Sequence, residues 1–227
     1  ISNSGVCSRR KADELILKGK VYLNNKKVRT LGIKISNEDI VKIDGKIISK
    51  EKKEYLILNK PKDFITTLND PQNRKTVKDL IKGATKKRLY PVGRLDRNTT
   101  GLLIFTNDGE LSKKLTHPSY KIKKIYHVEI EKAIELNDFK IIENGFKLDG
   151  EKIKVDRVAI LDKEKKNIGL EIHIGKNRIV RRIFEHLNYK VKKLDRVMIG
   201  SITKKNLKRG SWRFLKDSEV RLLKNFS

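Results

Sequence analysis

One acidic residue stands between two arginines in the glycine-bounded segment of residues 91–103, where Asp96 lies between Arg94 and Arg97. Nearby guanidinium groups favour the ionised form of a carboxyl group. A carboxylate held ionised beside a cleft can act as a nucleophile or as a base. From the pattern alone, however, a surface ion pair between the aspartate and an arginine is the better interpretation.

Two other segments carry side chains that could take part in chemistry. Tyr126 lies in the alternating run of residues 125–130, which predicts a strand. By spacing alone, this tyrosine is a half-buried packing residue. A helix is predicted over residues 177–187, because apolar and polar residues form two opposite stripes. The apolar stripe comprises Val180, Ile183, Phe184 and Leu187, and the polar stripe comprises Arg178, Arg181, Arg182 and Glu185.

The elements that must position these residues form two parts. In the first, a helix over residues 8–19 would start at Ser8 and end at Gly19, and tight turns are predicted at residues 24–25 and 44–45. Residues 49–54 are polar and predict a linker. Strands are predicted in the second part at 55–60, 101–108, 125–130, 153–160, 168–174 and 193–200, and helices at 76–81, 109–118 and 177–187. This pattern favours an α+β fold with a mainly antiparallel sheet.

Positive charge is the strongest feature of the composition. The 227 residues include 55 Lys and Arg against 28 Asp and Glu, which gives a formal net charge of +27. Such an excess favours a polyanionic partner, first of all a nucleic acid. The excess extends beyond the first fifty residues, which hold only 12 basic and 5 acidic side chains. A lysine-rich background without binding significance is the alternative.

Other residue types narrow the possible classes of protein. Cys7 is the only cysteine, so no intrachain disulfide can form, which fits a reducing compartment. None of the four histidines forms a metal-ligand pattern, and no apolar run reaches the roughly 18 residues needed to span a bilayer. We therefore expect no metal and no membrane partner. Since the chain begins at Ile1, we expect a preceding piece, and a removed targeting segment stays open.

The N-terminal part resembles a known RNA-binding domain. The segment CSRRKAD, followed by a helix and the pattern G-x-V-x-L-N, is similar to the domain named after ribosomal protein S4. This resemblance covers residues 1–48. It implies that structured RNA is bound by the basic residues Arg9, Arg10 and Lys11. The alternative is a charged capping turn on an ordinary helix.

The rest of the chain resembles the Rsu/Rlu group of pseudouridine synthases. The segment GRLDRNTTGLLIFTNDGEL closely matches their signature. Further patterns of the group follow in the expected order: NKP at 59–61, DPQNRKTVKDLI at 70–81, THP at 116–118, KIYHV at 124–128, GKNRIVRRIF at 175–184, LDRVMIG at 194–200 and LKRGSWRFL at 207–215. The resemblance implies a catalytic domain over residues 55–227, built on a mixed, mainly antiparallel β-sheet with flanking helices.

Members of this group convert uridine in folded RNA into pseudouridine without a metal or an organic cofactor. The resemblance implies that Asp96 is the essential aspartate, acting either by attack on the anomeric carbon or by removal of the ribose 2′ proton. Tyr126 would stack on the uracil, and Arg181 would pair with the catalytic carboxylate. Contacts to the RNA are expected from Arg94, Arg178 and Arg182.

Three positions depart from the pattern of the group. Ile179 stands where the group often has glutamine, which puts one RNA contact in doubt. Asp63 stands where a glycine often follows N-K-P-x, and Arg209 replaces the proline of the closing motif. We expect the last two to have little effect on the chemistry, because both are loop positions.

Several alternatives stay open for the function. The motifs THP, N-R-x-V-R-R-I-F and G-S-W-R-F-L favour large-subunit ribosomal RNA as the substrate, and small-subunit ribosomal RNA is the second choice. A non-catalytic RNA-binding factor in ribosome assembly would need only the charge and the N-terminal domain. A DNA-binding regulator would depend on charge alone. By analogy with the group we expect a monomer in the cytoplasm, or in an organelle with its own ribosomes, that acts on ribosomal RNA or a ribosomal particle.

Overall fold

The computed structural model describes residues 1–225, and within them it contains six α-helices and fifteen strands. The helices are α1 Arg9–Leu17, α2 Val77–Leu80, α3 Gly109–Thr116, α4 Leu136–Asn144, α5 Ile179–His186 and α6 Asp217–Lys224. The strands are β1 Val21–Leu23, β2 Lys26–Val28, β3 Val41–Ile43, β4 Lys46–Ile48, β5 Tyr55–Lys60, β6 Tyr90–Pro91, β7 Thr100–Thr106, β8 Lys124–Ile130, β9 Phe146–Leu148, β10 Glu151–Ile153, β11 Arg157–Ile160, β12 Asn167–Ile172, β13 Val191–Ile199, β14 Ile202–Thr203 and β15 Trp212–Phe214. The predicted α+β class is confirmed.

The N-terminal part consists of α1 and a four-stranded antiparallel sheet in the order β2-β1-β3-β4. The helix begins at Ser8, whose side chain accepts a hydrogen bond from the backbone N–H of Lys11 at 3.2 Å. Two-residue turns join β1 to β2 and β3 to β4. Both central residues of each turn have positive φ, which is the conformation of type I′ hairpins. The predicted helix cap and both predicted turns are confirmed.

The larger part is built around one sheet in the order β11-β12-β8-β13-β7-β5-β15, with β14 paired to β13 and β6 paired to β7. Every pairing is antiparallel except that of β13 with β7. At this parallel pairing the backbone of Gly101 has φ +107°, and a Cβ atom there would lie 2.2 Å from the carbonyl oxygen of Arg196. Glycine is therefore required for the two central strands to meet.

Apolar side chains cover both faces of this sheet. On one face α5 contributes Val180, Ile183 and Phe184 to a cluster with β8, β12 and β13. Elsewhere on the sheet, α3 and α6 pack through Leu111, Leu115, Val220 and Leu223 against β5 and β7. All six residues of β5 are buried, including its two polar ones, Asn59 and Lys60. The core thus lies directly beneath the loops at the ends of β5 and β7.

One predicted strand and several boundaries were wrong. Residues 153–160 form two separate strands, since β10 pairs with β9 whereas β11 pairs with β12. Between them the backbone N–H of Asp156 donates to Glu171, and its carboxylate contacts His173. The helices α4 and α6 were not predicted. Residues 49–54, predicted to be a linker, form neither helix nor strand, and Lys53 contacts Asp108 of the larger part.

In the part of the chain that the structure describes, no helix has the length and apolar character required to cross a membrane. Over the same residues, 1–225, no group of three or more His, Cys, Asp or Glu side chains is placed so that it could hold a metal ion.

Candidate active site

The loop that carries Asp96 spans residues 92–99, between β6 and β7. Lys60, at the end of β5, fixes the backbone of this loop. Its Nζ atom donates to the carbonyl oxygens of Asp96 at 3.1 Å, Arg97 at 3.3 Å and Thr99 at 2.8 Å. The Lys60 side chain is 0% exposed, and burial lowers its pKa to about 8 against the opposing effect of the Asp96 charge. The buried ammonium group therefore sets the course of the backbone on which Asp96 sits.

A second contact fixes the residue just before the aspartate. The hydroxyl of Thr66 donates to the carbonyl oxygen of Leu95 at 2.6 Å and accepts from its N–H at 3.2 Å. Thr66 and Leu95 are both buried. Backbone groups on both sides of the Asp96 Cα atom are thus bonded to buried side chains, which restricts the directions that the carboxylate can take.

Asp96 lies in a small pocket of about 80 Å³. Its side chain is 36% exposed, so the carboxylate can be reached from solvent. Tyr126, which is half-buried on β8, lines the same pocket, and so do Arg94 and Arg178. The structure therefore brings together four of the residues singled out from the sequence, although they come from three separate segments of the chain.

Within the described residues 1–225, the structure does not contain the ion pair that was predicted between Arg181 and Asp96. Instead, Arg178 approaches the Asp96 carboxylate, with Nη1 3.9 Å from Oδ2. Arg181 is buried and donates to the carbonyl oxygens of Asn98 at 3.3 Å and Val191 at 3.2 Å. Burial, and then the neighbouring charge of Arg178, lower the pKa of Arg181. Arg181 thus binds the backbone of the loop that carries Asp96, while Arg178 lies beside the Asp96 carboxylate.

The helical periodicity predicted that Arg181 lies on a solvated face of α5, and this prediction was wrong. In the structure the loop of residues 92–99, named the catalytic loop after its candidate residue Asp96, covers part of that face, so Ile179 and Arg181 are buried together with the apolar stripe. Arg182 is also engaged, since it forms an ion pair with Asp149. Ile179, where the group often has glutamine, lines the pocket as an apolar wall.

The structure shows the surroundings of Asp63 and Arg209, the two loop residues that depart from the pattern of the group. Asp63 has φ +67°, a left-handed conformation that glycine adopts readily and that aspartate tolerates. Arg209 donates to the carboxylate of Asp195 at 2.9 Å and also to the side chain of Asn59. Asp195 also accepts from the hydroxyl of Thr100 at 2.6 Å. Arg209 therefore ties the C-terminal loop to β5 and to the parallel pair β7–β13, directly beside the catalytic loop.

The predicted RNA-binding residues of the N-terminal part lie at a different place. Arg9 and Arg10 are exposed and line a groove of about 990 Å³ between α1 and α3. Arg88 and Lys113 line the same groove from the larger part. Lys11 is instead paired with Glu14 at 2.8 Å. The groove is rich in cations that keep their contact with solvent.

Lys60 and Thr66 were missed by the sequence analysis. A signal for Lys60 was present, because a lysine interrupts an apolar strand immediately before Pro61. A lysine is almost never fully buried unless its charge is satisfied. No comparable signal marked Thr66, since threonine is common in loops as well as in strands.

Comparisons with known proteins cover both parts of the chain. The sequence profile of the family described as RNA pseudouridylate synthase matches residues 54–186. The profile of the S4 domain matches residues 1–41. A crystal structure described as that of a pseudouridylate synthase has a TM-score of 0.70 with this chain at 29% identity, and the match covers 98% of this chain and 96% of the other.

Curated relatives are similar over nearly their whole length. A protein of Aquifex aeolicus, named as an uncharacterized RNA pseudouridine synthase, is 44% identical over 224 residues, which are 97% of this chain and 90% of that protein. Ribosomal large subunit pseudouridine synthase B of Bacillus subtilis is 39% identical over 228 residues, with 99% of this chain and 93% of the relative covered.

Proposed function

Because this chain belongs to the RNA pseudouridylate synthase family, we propose that it isomerises one uridine of large-subunit ribosomal RNA, with Asp96 as the reacting carboxylate. The observation that carries the catalytic assignment is the convergence of Asp96 and Tyr126 in one solvent-accessible pocket beneath a basic surface. The choice of the large subunit is supported by the similarity to the relative from Bacillus subtilis and by the motifs given above.

The reaction breaks the bond between N1 of uracil and C1′ of ribose, and it forms a bond between C5 and C1′. The hydrogen on C5 is lost as a proton, and N1 gains a proton, so atoms and charge balance. Asp96 can start this sequence by attack on C1′ or by removal of the 2′ proton. Either route needs an ionised carboxylate in a fixed position.

The surroundings of Asp96 fix its position. The backbone contacts of Lys60 and Thr66 hold the loop, and the guanidinium group of Arg178 lies 3.9 Å from the Asp96 carboxylate. The half-buried ring of Tyr126 offers an apolar surface on which a detached pyrimidine base could stack while it turns. The loop contacts and Arg178 thus act on the carboxylate, and the ring of Tyr126 acts on the detached base.

The substrate base must leave its stack before it can enter this pocket. Extruding a base costs a few kcal/mol, which contacts to the RNA backbone can offset. The exposed cations Arg94, Arg9 and Arg10 are placed to provide such contacts. Phosphate contacts position the RNA without reading its sequence, so the choice of uridine must come from the shape of the RNA or from base contacts.

The test is to incubate the protein with unmodified large-subunit and small-subunit ribosomal RNA, each as a transcript and as a ribosomal particle, and to map pseudouridine chemically. We expect one new pseudouridine, in large-subunit RNA. A product in small-subunit RNA would overturn the choice of substrate and leave the reaction in place. If no RNA is modified although the protein binds it, the enzymatic assignment is wrong and a non-catalytic RNA-binding factor is favoured.

A further inference from the structure

A second pocket adjoins the catalytic one, and we name it the Lys124 pocket. It has a volume of about 190 Å³ and shares Arg94, Tyr126, Lys176 and Ile179 with the pocket around Asp96. Its further lining includes two cations that do not reach the catalytic pocket, Lys124 and Arg196. Of the described residues that line it, none is acidic. The Lys124 pocket is thus a strongly basic extension of the active site.

The strand register places the two additional cations on one face of the sheet. Lys124 and Tyr126 are two residues apart on β8, so their side chains point to the same side. Arg196 on β13 is the direct partner of Tyr126 in the antiparallel pairing. Side chains directly opposite each other across two strands share a face. Lys124 and Arg196 therefore lie on the side of the sheet that Tyr126 presents to the pocket.

Arg196 is only partly satisfied by the protein. It is 3% exposed, and its Nε atom donates to the carbonyl oxygen of Leu102 at 2.9 Å. Its Nη2 atom is buried and, in the part of the chain that the structure describes, has no hydrogen-bond partner. Buried guanidinium groups are normally fully bonded. The Nη2 group of Arg196 therefore carries donors that no acceptor of the described residues uses.

Lys124 is in a similar position. Its Nζ atom donates to the carbonyl oxygens of Ile122 at 3.0 Å and His173 at 3.4 Å. No carboxylate of the described residues pairs with it, because the nearby Asp156 is engaged by His173 at 2.7 Å. Burial, and then the charge of Arg196, lower the pKa of Lys124 to about 8. The charge of Asp156 opposes this lowering only in part, so two neighbouring cations without a direct ion-pair partner remain, and a bound anion would relieve their repulsion.

We propose that the Lys124 pocket binds a phosphodiester group of the RNA strand, adjacent to the nucleotide whose base lies against Tyr126. Lys and Arg are the usual partners of phosphate oxygens in proteins that bind nucleic acids. The two pockets meet at Tyr126, so a strand that places a base on this ring brings a neighbouring phosphate to Lys124 and Arg196. The identity of the anion as RNA rests on the proposed function, whereas the affinity for phosphate does not.

The first experiment measures the anion site without RNA. The folded protein is acylated with acetic anhydride, and the rate at each lysine is determined by peptide mass spectrometry, in phosphate and in chloride of equal ionic strength. Phosphate at saturation should slow the acylation of Lys124 by more than about fivefold. Lys123 is the internal control, because it is exposed and paired with Glu171 instead. Equal slowing at both lysines, or at neither, would refute the anion site.

The second experiment identifies the source of the phosphate. On an Asp96→Asn background, binding is measured with hairpins of the target RNA in which single phosphates are replaced by neutral methylphosphonates. One replacement should weaken binding by about tenfold with Lys124 present and should have no effect with Lys124→Met. Lys123→Met is the matched control and should behave like the parent.

The outcomes of the two experiments are separable. If Lys124→Met responds to every methylphosphonate as the parent does, the RNA backbone is not the ligand, even where free phosphate protects Lys124. If phosphate protects Lys124 in a protein that modifies no RNA, the anion site stands and the proposed function fails. Lys124→Arg should restore the response to the single methylphosphonate, because it returns a cation to the pocket.

Discussion

Positive charge has two distinct settings in this protein. In the N-terminal part, Arg9 and Arg10 are exposed and line an open groove. Around the catalytic loop, Lys60, Arg181 and Arg196 are buried and donate to backbone carbonyl oxygens. Exposed cations can attract a polyanion, but they hold no fixed geometry. Buried cations hold a fixed geometry, and removing one takes a side-chain donor from the carbonyl oxygens that it binds.

The two parts also differ in how much apolar core supports them. In the N-terminal part the buried apolar residues are Ala12, Val21 and Ile43, whereas the larger part has three clusters of buried side chains. A geometrically demanding site needs rigid support, which the larger part provides. The exposed cations are therefore suited to attract RNA from solution, whereas the buried Lys60 and Arg181 hold the loop that carries the carboxylate.

The largest effect on stability is expected where the two central strands meet. Gly101→Ala would place a Cβ atom 2.2 Å from the backbone of Arg196, so the free energy of unfolding should fall by more than about 4 kcal/mol. Gly45→Ala, in the N-terminal sheet, is the matched control. Gly45 also has positive φ but nothing within 4 Å, and its replacement should cost about 1 kcal/mol. Denaturant unfolding measures both, and equal losses would show that the strand contact is not as tight as described.

The next largest effect concerns the buried lysine beneath the catalytic loop. Lys60→Met would remove the ammonium donor from four backbone carbonyl oxygens, and those of Pro61 and Thr99 would be left without a donor. The free energy of unfolding should fall by about 3 kcal/mol. Turnover should fall as well, because the loop is no longer fixed. Lys62→Met, two residues along and exposed, should change stability by less than about 0.5 kcal/mol. An unchanged turnover rate in Lys60→Met would show that Lys60 does not orient the Asp96 carboxylate.

A smaller effect is expected from pH. The folded chain holds the Lys60 proton only up to about pH 8, whereas an unfolded lysine holds it to about 10.5. Between these values the unfolded state binds more protons, so stability must rise with pH. The free energy of unfolding of the wild type, relative to Lys60→Met, should increase by up to about 1.4 kcal/mol per pH unit in this window. A flat difference between pH 8 and 10 would contradict the lowered pKa.

The smallest effect should come from the exposed cations. Replacing Arg9 and Arg10 by glutamine should leave folding and the turnover of saturating RNA unchanged. It should weaken RNA binding and reduce the slope of log affinity against log salt by up to about 2, or about 0.9 for each phosphate that is no longer neutralised. Lys18→Gln, at the opposite end of the same helix and outside the groove, is the control. A lower turnover number at saturation would mean that these arginines also shape the active site.

Much of this arrangement could be predicted from local patterns. Alternation and apolar runs predicted β5, β7, β8 and α5, because burial on one or both faces leaves a periodic trace. The tight turns of the N-terminal sheet were predictable since asparagine and the Asp-Gly pair tolerate positive φ. Of the residues that line the pocket around Asp96, four were singled out through a resemblance and not through spacing, because a lone aspartate between arginines is usually a surface feature.

What could not be predicted depends on tertiary contacts. Arg181 is buried because a loop from a distant part of the chain covers α5, and no local period records that cover. The break between β10 and β11 was missed for a similar reason, since each strand has a different partner. Lys60 and Arg196 donate to backbone carbonyl groups, which every residue has. The sequence marks Lys60 as an unusual strand residue, but it does not identify the carbonyl groups that either side chain binds.

The central claim is that the fixed carboxylate of Asp96 starts the isomerisation. Its most direct test is the release of tritium from ribosomal RNA labelled at C5 of uridine, because the new bond replaces the C5 hydrogen. Asp96→Asn should bind the RNA as tightly as the wild type and release tritium more than about 10³-fold more slowly. If Asp96→Asn releases tritium at the wild-type rate, the reacting group lies elsewhere and this account of the site is wrong.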